Sequence, residues 1–412
     1  DKALLLRPDF AEASYNKGNA YQKLGELEQA LTAYKTAIFH NPKYAQAFYN
    51  LGVVHQKLGD PTAATKSYKK CLNINPNYSE ALNNMGNALV EAGETARAIS
   101  YYEKLIKLRP DYGEAFNNLG IALCKKGDVA AALDSFKQAI ILSPDNIEIL
   151  MSLGKCLKTN GQDDEAAAYF EYAALLDEND TVGAKLHLAS MSKITVPSRT
   201  PWAFLESFYK TRANNWDHQS HKKYRGHLLI KDAFRKSVSK KTEAILDLGC
   251  GTGSLATFIR PKTKLLVGID ISPDMLALAR DRSVYDVLYQ EDLEEHLSRT
   301  SLTYDIIVAS AVFVHFLELK SIFYLVRNSL KISGKLIFTV FESDQGHSCL
   351  NDFLMYSHHQ QEIDTILAQT GFEICIKHRA VHEYHDQVPV NALVYVVQKT
   401  QKSLVRELVK TF

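Results

Sequence analysis

The stretch Ala244-Ile-Leu-Asp-Leu-Gly-Cys-Gly-Thr-Gly-Ser254 decides the fold of the C-terminal half of the chain. It opens with an apolar run that predicts a buried strand, and it continues into three glycines in the pattern GxGxG. Apolar residues at Leu255 and Phe258 then predict an amphipathic helix. A strand, a glycine-rich turn and a helix in this order are typical of a site that holds a nucleotide-like ligand.

The residues that follow strengthen this interpretation. The run Leu265-Leu-Val-Gly-Ile-Asp270 predicts a second strand that ends on an acid, about twenty residues after the glycines. Asp270 is placed to accept hydrogen bonds from ribose hydroxyls. A glycine motif alone would be weak evidence, but the whole order of elements predicts a bound nucleoside.

The spacing of the glycines separates two kinds of cofactor. Dinucleotide sites usually carry GxGxxG, with a pyrophosphate on a helix N-terminus, whereas this chain has Gly249-x-Gly251-x-Gly253 preceded by Asp247. This pattern resembles the first motif of class I methyltransferases, whose cofactor S-adenosylmethionine has no phosphate. The resemblance implies that the turn, including Cys250, approaches the methionine part of the cofactor and that Asp247 faces its ammonium group.

The resemblance also implies residues around the adenosine. Asp292 would bond the adenine amine and Leu293 would cover the ring face, while Ile271 and Met275 would wall the ring. For the two apolar residues, plain core packing is the alternative. Ser310, at the end of the fourth strand-like run, completes the predicted cofactor-binding set.

An internal repeat of 34 residues organises the N-terminal half. Five classes of residue recur at this step, and each recurring set is called a ladder below. The sets are the prolines Pro8, Pro42, Pro76, Pro110 and Pro144; the helix glycines Gly18, Gly52, Gly86, Gly120 and Gly154; the turn glycines Gly25, Gly59, Gly93, Gly127 and Gly161; the alanines Ala30, Ala64, Ala98, Ala132 and Ala166; and the aromatic residues Tyr34, Tyr68, Tyr102, Phe136 and Phe170. The small residues let paired helices approach closely, and the turn glycines favour a left-handed end to each first helix.

These ladders resemble the tetratricopeptide repeat. They predict an all-α superhelix over residues 1–195. Its five full units start at Ala11, Ala45, Ser79, Gly113 and Ile147. A partial repeat precedes them over 1–10, which suggests further repeats upstream, and a capping helix follows at 181–193, since a solenoid's last apolar face must be covered.

Asparagines recur on the predicted first helices at Asn16, Asn50, Asn84 and Asn118, and Ser152 breaks the row. A primary amide both donates and accepts, so such a row can hold an extended peptide on the concave face by its backbone. The alternative is that asparagine is simply frequent at this repeat position. The residues beside the row do not form a lysine clamp for a carboxylate tail.

Composition places the chain among ordinary globular proteins, with 46% apolar residues and a formal net charge of +1. No strong attraction to nucleic acid or to a membrane follows from this charge. The cysteines lack the spacing of a zinc site, and they favour a reducing, cytoplasmic environment. Pro197 and Pro201 end the helical array. We therefore expect a linker with N-terminal helices over 196–240, a catalytic domain over 241–400 and a tail over 401–412.

Residues 202–400 resemble the methyltransferase half of bacterial-type tetratricopeptide-repeat methyltransferases. The matching segments are Asn215-Trp-Asp-His218, Lys223-Tyr-Arg225, Tyr356-Ser-His358, Gly371-Phe-Glu-Ile374 and Asn391–Gln398. The last segment supplies the antiparallel strand that closes a seven-stranded, Rossmann-like α/β sheet. Relatives often carry an acid after the fourth strand, where this chain has Ala311.

Methyl transfer is an in-line displacement, so alignment matters more than a strong catalytic group. If the acceptor carries a proton, His315 is the first candidate base, followed by Tyr224 and His358. Three hypotheses remain open. The enzyme modifies a protein that the repeats recruit, it modifies a small molecule or glycan while the repeats organise an assembly, or the chain is a scaffold without turnover.

Overall fold

Ten helices form five antiparallel pairs that begin at the predicted residues. The computed structural model describes residues 9–210, 212–213, 216, 224–385 and 388–401. The pairs are α1 (Ala11–Lys23) and α2 (Leu27–His40), α3 (Ala45–Lys57) and α4 (Pro61–Ile74), α5 (Ser79–Glu91) and α6 (Thr95–Leu108), α7 (Gly113–Lys126) and α8 (Val129–Leu142), and α9 (Ile147–Thr159) and α10 (Asp163–Leu176). Pro8, the partial repeat up to that residue, and Asn215, His218, Lys222 and Lys223 lie outside the described residues.

The chain divides into two units, Asp1–Glu178 and Asn179–Phe412. The segment 179–195, which the sequence grouped with the repeats, falls in the second unit and includes the short helix α11 (Ala184–Ser190). The domain limits near residues 195 and 240 therefore stay predictions.

Each repeat pairs a glycine of its first helix with an aromatic ring of its second helix. A Cβ at Gly52 would lie 2.5 Å from the Tyr68 ring, and one at Gly120 would lie 2.8 Å from the Phe136 ring. The rings are fully buried. The predicted close approach of the paired helices is therefore confirmed, and the side chain that requires it is the aromatic residue. The turn glycines of all five units have φ between 73° and 88°, as predicted.

Gly52→Ala should destabilise the repeat array, because the added methyl group overlaps a buried ring that has no room to move. Overpacking of this kind costs ~1–3 kcal/mol, and the better helix propensity of alanine offsets ~1 kcal/mol of it. We expect a lower midpoint in thermal unfolding followed by circular dichroism. Gly113→Ala is the matched control, since its Cβ would lie 3.3 Å from the nearest atom, Oγ of Ser143. Equal midpoints for the two variants would contradict this explanation.

Two cysteines of the array are joined, which the interpretation of a reducing environment did not predict. Cys124 of α7 and Cys156 of α9 form a disulfide, with their Cα atoms 6.2 Å apart. Their 32-residue separation in sequence nearly equals one repeat, and helical stacking brings them together. The sequence offered no signal for this pairing, because it depends on how neighbouring first helices face each other.

The second unit is an α/β sheet with helices on both sides. Its remaining helices are α12 (Trp202–Lys210), α13 (Gly226–Ser237), α14 (Ala256–Ile259), α15 (Pro273–Asp281), α16 (Leu293–Arg299), α17 (Lys320–Ser329) and α18 (Gln360–Gln369). The strands are β1 (Thr242–Leu248), β2 (Thr263–Asp270), β3 (Val287–Gln290), β4 (Tyr304–Ala309), β5 (Leu330–Glu342), β6 (Cys349–Leu350), β7 (Tyr356–His358), β8 (Phe372–His385) and β9 (Val388–Lys399). Helices α12 and α13 lie where the sequence predicted helical structure.

Seven strands form the predicted sheet in the order β3-β2-β1-β4-β5-β9-β8. The first five are parallel, and β9 runs antiparallel between β5 and β8. The short strands β6 and β7 extend the sheet beside the end of β5. Because the carboxyl ends of β1 to β4 meet at one edge, the loops that follow them converge there.

Alternate residues of the central strands face two apolar cores. Leu246 and Leu248 of β1 pack into one core with Phe323 and Phe338, while Ile245 packs into the other with Phe234. All six are at most 1% exposed. This double burial explains why the β1 run is apolar throughout, and it fixes the carboxyl edge of the sheet as a rigid support.

Candidate active site

A cavity opens at the carboxyl edge of β1 to β4 and collects most of the predicted site residues. It is lined by Asp247, Gly249, Cys250, Gly251, Asp270, Ile271, Met275, Asp292, Leu293 and Ser310 of the predicted cofactor set, and by Tyr224 and His315 of the predicted bases. Gly253 and His358 do not line it. Gly253 shapes the turn instead, with φ of 77° and its amide donating to the Cys250 carbonyl.

The glycine-rich turn exposes backbone to the cavity. Gly249 and Gly251 have φ of 62° and 53°, a conformation that favours glycine. A Cβ at Gly249 would collide with Cγ2 of Val312, whereas a Cβ at Gly251 would meet no atom within 4 Å. Gly251 therefore borders open space that a ligand can occupy against bare backbone.

Asp270 links the end of β2 to this turn. One carboxylate oxygen accepts the Gly251 amide at 2.8 Å, and the other accepts the Ser272 amide at 2.9 Å. Burial raises the pKa of Asp270, and these backbone hydrogen bonds oppose the rise. Each oxygen keeps a second lone pair, so the side chain can also accept from vicinal hydroxyls, as the sequence predicted.

Asp247 is 2% exposed at the end of β1. Its Oδ2 accepts a hydrogen bond from the Tyr285 hydroxyl at 2.7 Å. Burial raises the pKa of Asp247 to about 7, the negative charge of Asp270 adds to the rise, and the Tyr285 hydrogen bond opposes it. A carboxylate so poorly solvated gains much from a cationic partner. The sequence missed Tyr285, which lies 38 residues away in the loop before β3.

Asp292, which was predicted to bond the adenine amine, already has partners on both carboxylate oxygens. Its Oδ1 accepts the backbone amides of Glu294 and Glu295 at the start of α16, at 2.9 and 3.3 Å. Its Oδ2 lies 3.1 Å from a guanidinium nitrogen of Arg199. An adenine amine at Asp292 would therefore share the carboxylate with an N-cap and an ion pair. Ile271 and Met275 both line the cavity, and Met275 is buried while Ile271 is half-buried, so the core-packing alternative stays open for Met275 above all.

The segment 198–200 lies in the predicted linker and packs beside the site. The Thr200 amide donates to the His315 carbonyl at 2.8 Å, and the Leu317 amide donates to the Ser198 carbonyl at 2.7 Å. These two bonds place Arg199 beside Asp292. We name residues 198–200 the strap.

His315 faces the cavity from the turn after β4. Its Nε2 lies 2.7 Å from the hydroxyl of Tyr209 on α12. The histidine is 8% exposed, and burial lowers its pKa to about 4. His315 is therefore neutral at physiological pH and a weak base. Its Nδ1 is buried and has no hydrogen-bond partner among the described residues. A methyl acceptor would therefore bond to this nitrogen only after the side chains that cover it move.

Tyr224 shares a hydrogen bond of 3.0 Å with Ser310 at the end of β4. Its ring stacks on His227 and lies 5.5 Å from the Trp216 ring, measured between centroids. Burial raises the pKa of the Tyr224 phenol, so the group is a hydroxyl and not a phenolate. It can donate a hydrogen bond to an acceptor, but it is a poor base.

Ala311 lies in the turn after β4, at the position where the family resemblance led us to expect an acid. It has φ of 57°, which is unusual for a residue with a side chain. Its amide donates to the Thr339 hydroxyl at 3.1 Å, and the residue lines the cavity. The turn after β4 thus presents backbone and apolar surface where an acid would otherwise stand.

His358 lies behind the site. It is 1% exposed, and its Nε2 is 3.2 Å from the Phe313 carbonyl. Burial lowers its pKa to about 4. Its position does not support the prediction that it acts as a base, and we do not propose it further.

The asparagine row of the repeats bonds to the preceding repeat. Asn50 donates to the Tyr15 hydroxyl at 3.2 Å and to Asn19 Oδ1 at 2.9 Å. Asn84 donates to the Tyr49 hydroxyl at 3.1 Å. Asn118 donates to Asn83 Oδ1 at 3.0 Å, while Asn16 is exposed. Amide donors of Asn50, Asn84 and Asn118 thus join neighbouring repeats, and the role of the row in holding a peptide stays a prediction.

No group of three or more histidine, cysteine and acidic side chains in the described part of the chain could hold a metal ion. None of the helices described combines the length and apolar character that a membrane crossing demands.

Known families match both units. A family described as "Methyltransferase domain" matches residues 246–336. Families described as "TPR repeat" and "Tetratricopeptide repeat" match residues 18–59, 43–111, 83–147 and 123–189. The chain therefore carries tetratricopeptide repeats followed by a methyltransferase domain.

The curated relatives resemble the second unit. A malonyl-[acyl-carrier protein] O-methyltransferase of Bacillus anthracis is 30% identical over 143 residues, which cover 33% of this chain and 52% of the relative. The protein of the same name from Priestia megaterium is 33% identical over 127 residues, covering 29% and 43%. The chain thus spans about half the length of the curated relatives it matches.

Solved structures also show similarity to parts of the chain. The crystal structure of MamA is 26% identical, covers 40% of this chain and 96% of its own, and has a TM-score of 0.37. An S-adenosylmethionine-dependent methyltransferase of Methanosarcina mazei is 18% identical, with coverages of 41% and 98% and a TM-score of 0.35.

Proposed function

We propose that the second unit is an S-adenosylmethionine-dependent methyltransferase and that the repeats recruit its protein or peptide substrate. The observation that carries the proposal is the pairing of Asp270 with Gly251. The carboxylate that would accept from ribose hydroxyls also bonds the amide of the glycine whose missing side chain leaves the cavity open.

The residues present fit this cofactor. Asp270 would accept from the ribose hydroxyls, and buried Asp247 would pair with the ammonium group of the methionine part. The bare turn at Gly249 and Gly251 would lie against that part. When bound, S-adenosylmethionine supplies a methyl group that its sulfonium already activates, so the chain's contribution is to align an acceptor and exclude water.

The acceptor side of the cavity favours a nucleophile that needs no deprotonation. Beyond the predicted cofactor set, the polar side chains that line the cavity include the hydroxyls of Tyr209 and Tyr224 and the neutral imidazole of His315. These groups donate hydrogen bonds or accept a proton only weakly, since the pKa of His315 is about 4. We therefore propose a carboxylate oxygen as the acceptor, which agrees with the O-methyltransferase activity in the names of the curated relatives.

Labelling from methyl-tritiated S-adenosylmethionine in a cell lysate should test the acceptor. We expect label in protein, and we expect mild alkali to release it as volatile methanol, because methyl esters hydrolyse and methylated nitrogens do not. Label confined to small molecules would favour the alternative of a small-molecule or glycan acceptor, with the repeats as an assembly scaffold. Alkali-stable label would contradict the carboxylate.

Calorimetry of the whole chain with S-adenosylmethionine and with S-adenosylhomocysteine tests the cofactor itself. We expect one site in each case. If neither binds, the chain is a scaffold without turnover and the enzyme proposal fails. Tyr209→Phe should leave this affinity unchanged, because Tyr209 bonds His315 on the acceptor side, and should slow only methyl transfer.

A further inference from the structure

Tyrosines form pairs between the first helices of neighbouring repeats, at two successive steps of the array. The ring centroids of Tyr15 and Tyr44 are 4.9 Å apart, and those of Tyr49 and Tyr78 are 5.1 Å apart. In each pair, one ring belongs to a first helix and the other precedes the next first helix. All four side chains are partly exposed. The array therefore offers aromatic ring faces at two successive steps of the repeat.

Carboxylates accompany these rings. Glu80 and Glu114 are exposed in the first turns of α5 and α7. Glu114 is held in place, because its two carboxylate oxygens accept from Asn83 Nδ2 at 2.8 Å and from the Tyr112 hydroxyl at 3.1 Å. A fixed carboxylate beside an exposed ring is a pair of features that both attract a cation.

Carboxylates lie close enough to the tyrosines to act on their hydroxyls. After burial, the carboxylate of Glu80 is the largest cause that raises the pKa of Tyr78 to about 12, and Glu80 and Glu114 both raise the pKa of Tyr49. Arg109, which interacts electrostatically with Glu80, also donates to both carboxylate oxygens of Asp111. Glu80 and Glu114 therefore supply negative charge and hydrogen-bond acceptors beside these rings.

A buried carbonyl marks the end of the asparagine row. Asn83 accepts an amide hydrogen from Asn118 of the next repeat, and Asn117 stands one repeat later. Ser152 replaces the next asparagine, and its hydroxyl donates to the Glu148 carbonyl. As a result Asn117 Oδ1, on a side chain 7% exposed, has no hydrogen-bond partner among the described residues. A buried acceptor of this kind is costly unless a donor reaches it.

We propose that Tyr44, Tyr49, Tyr78, Glu80, Glu114 and Asn117 form a docking surface for an extended protein segment rich in lysine and arginine. We name these residues the tyrosine–glutamate face. Cationic side chains of the segment lie over the rings and pair with the carboxylates, and a donor from the segment satisfies Asn117. This inference rests on the proposed role of the repeats in recruiting a substrate. In it, hydrogen-bond acceptors and aromatic rings select the partner, and the amide donors of the asparagine row do not.

Fluorescence anisotropy of the whole chain with a short labelled peptide of alternating serine and lysine tests the proposal. We expect binding that weakens with added salt, and we expect Glu80→Gln with Glu114→Gln to weaken it about tenfold. Glutamine keeps the shape and one oxygen that accepts from Asn83, and its amide NH2 can donate to the Tyr112 hydroxyl, so the repeat contacts of position 114 can be kept. The matched control is Glu103→Gln with Glu171→Gln, which removes the same charge from exposed positions of second helices.

Tyr78 supplies a second test that does not change charge. Tyr78→Phe should keep the affinity and Tyr78→Leu should weaken it, because only an aromatic ring attracts a cation through its face. The proposal is overturned if a serine–glutamate peptide binds equally well, or if the glutamine pair binds like its control. Cofactor affinity measured on the same samples separates this outcome from failure of the methyltransferase proposal.

Discussion

Replacing Asp270 with alanine should lower the affinity for S-adenosylmethionine by at least about a hundredfold. Each hydrogen bond to a charged acceptor contributes ~1.5–3 kcal/mol, and tenfold in affinity corresponds to ~1.4 kcal/mol. Two ribose hydroxyls would be lost as donors to this carboxylate. The Gly251 amide would also lose its acceptor, which should loosen the turn that lies against the cofactor.

The control is Asp274→Ala, which removes an exposed carboxylate from the first turn of α15 only four residues away. It should bind the cofactor like the unmodified chain. Circular dichroism should show whether Asp270→Ala keeps the fold, and Asp270→Asn offers a milder variant that keeps one acceptor oxygen. Calorimetry that finds Asp270→Ala and Asp274→Ala equally tight would remove the central support for the cofactor site.

Affinity for S-adenosylmethionine should rise with pH up to about pH 7. Because the pKa of Asp247 is raised to about 7, the side chain is mostly protonated at pH 6, and only its ionised form pairs with the ammonium group. Binding must then release a proton, and the affinity should change by up to roughly tenfold per pH unit below pH 7. Above about pH 8 the ammonium group itself loses its proton, which ends the rise.

The stability of the ligand-free chain should change in the opposite direction. The pKa of Asp247 is higher in the folded chain than its ordinary value of 3.8, so the folded state binds the proton more tightly than the unfolded state does. Its contribution is fully present below about pH 4 and is lost as the pH rises to about 7. Calorimetry in buffers of different ionisation enthalpy measures the released proton directly. Asp247→Asn should bind weakly with no such release, and an unchanged pH profile in this variant would contradict the assignment.

Much of the architecture could be predicted because it is carried by local patterns. The 34-residue step located all five helix pairs, since glycine, proline and aromatic residues act within one repeat. The order of β1, the glycine turn, β2 and Asp270 located the cavity, since parallel strands bring their carboxyl ends together. In both cases neighbours in sequence are neighbours in the fold.

The residues that sequence reasoning missed act over long separations. Tyr285 reaches Asp247 from another loop, and Tyr209 reaches His315 across 106 residues. Cys124 meets Cys156 only through stacking of first helices. The direction of the asparagine amides also depends on the facing residue of the preceding repeat. No motif encodes such partners, because each is an ordinary residue until the fold places it.

The strap lengthens the part of the second unit that surrounds the cavity. The family match begins at residue 246, yet the backbone of Ser198 and Thr200 and the guanidinium of Arg199 all bond to residues around the cavity. A fragment cut at the start of β1 would also lack Tyr209 and Tyr224. The contacts around the cavity therefore extend N-terminal to the family match and begin at least as early as Ser198.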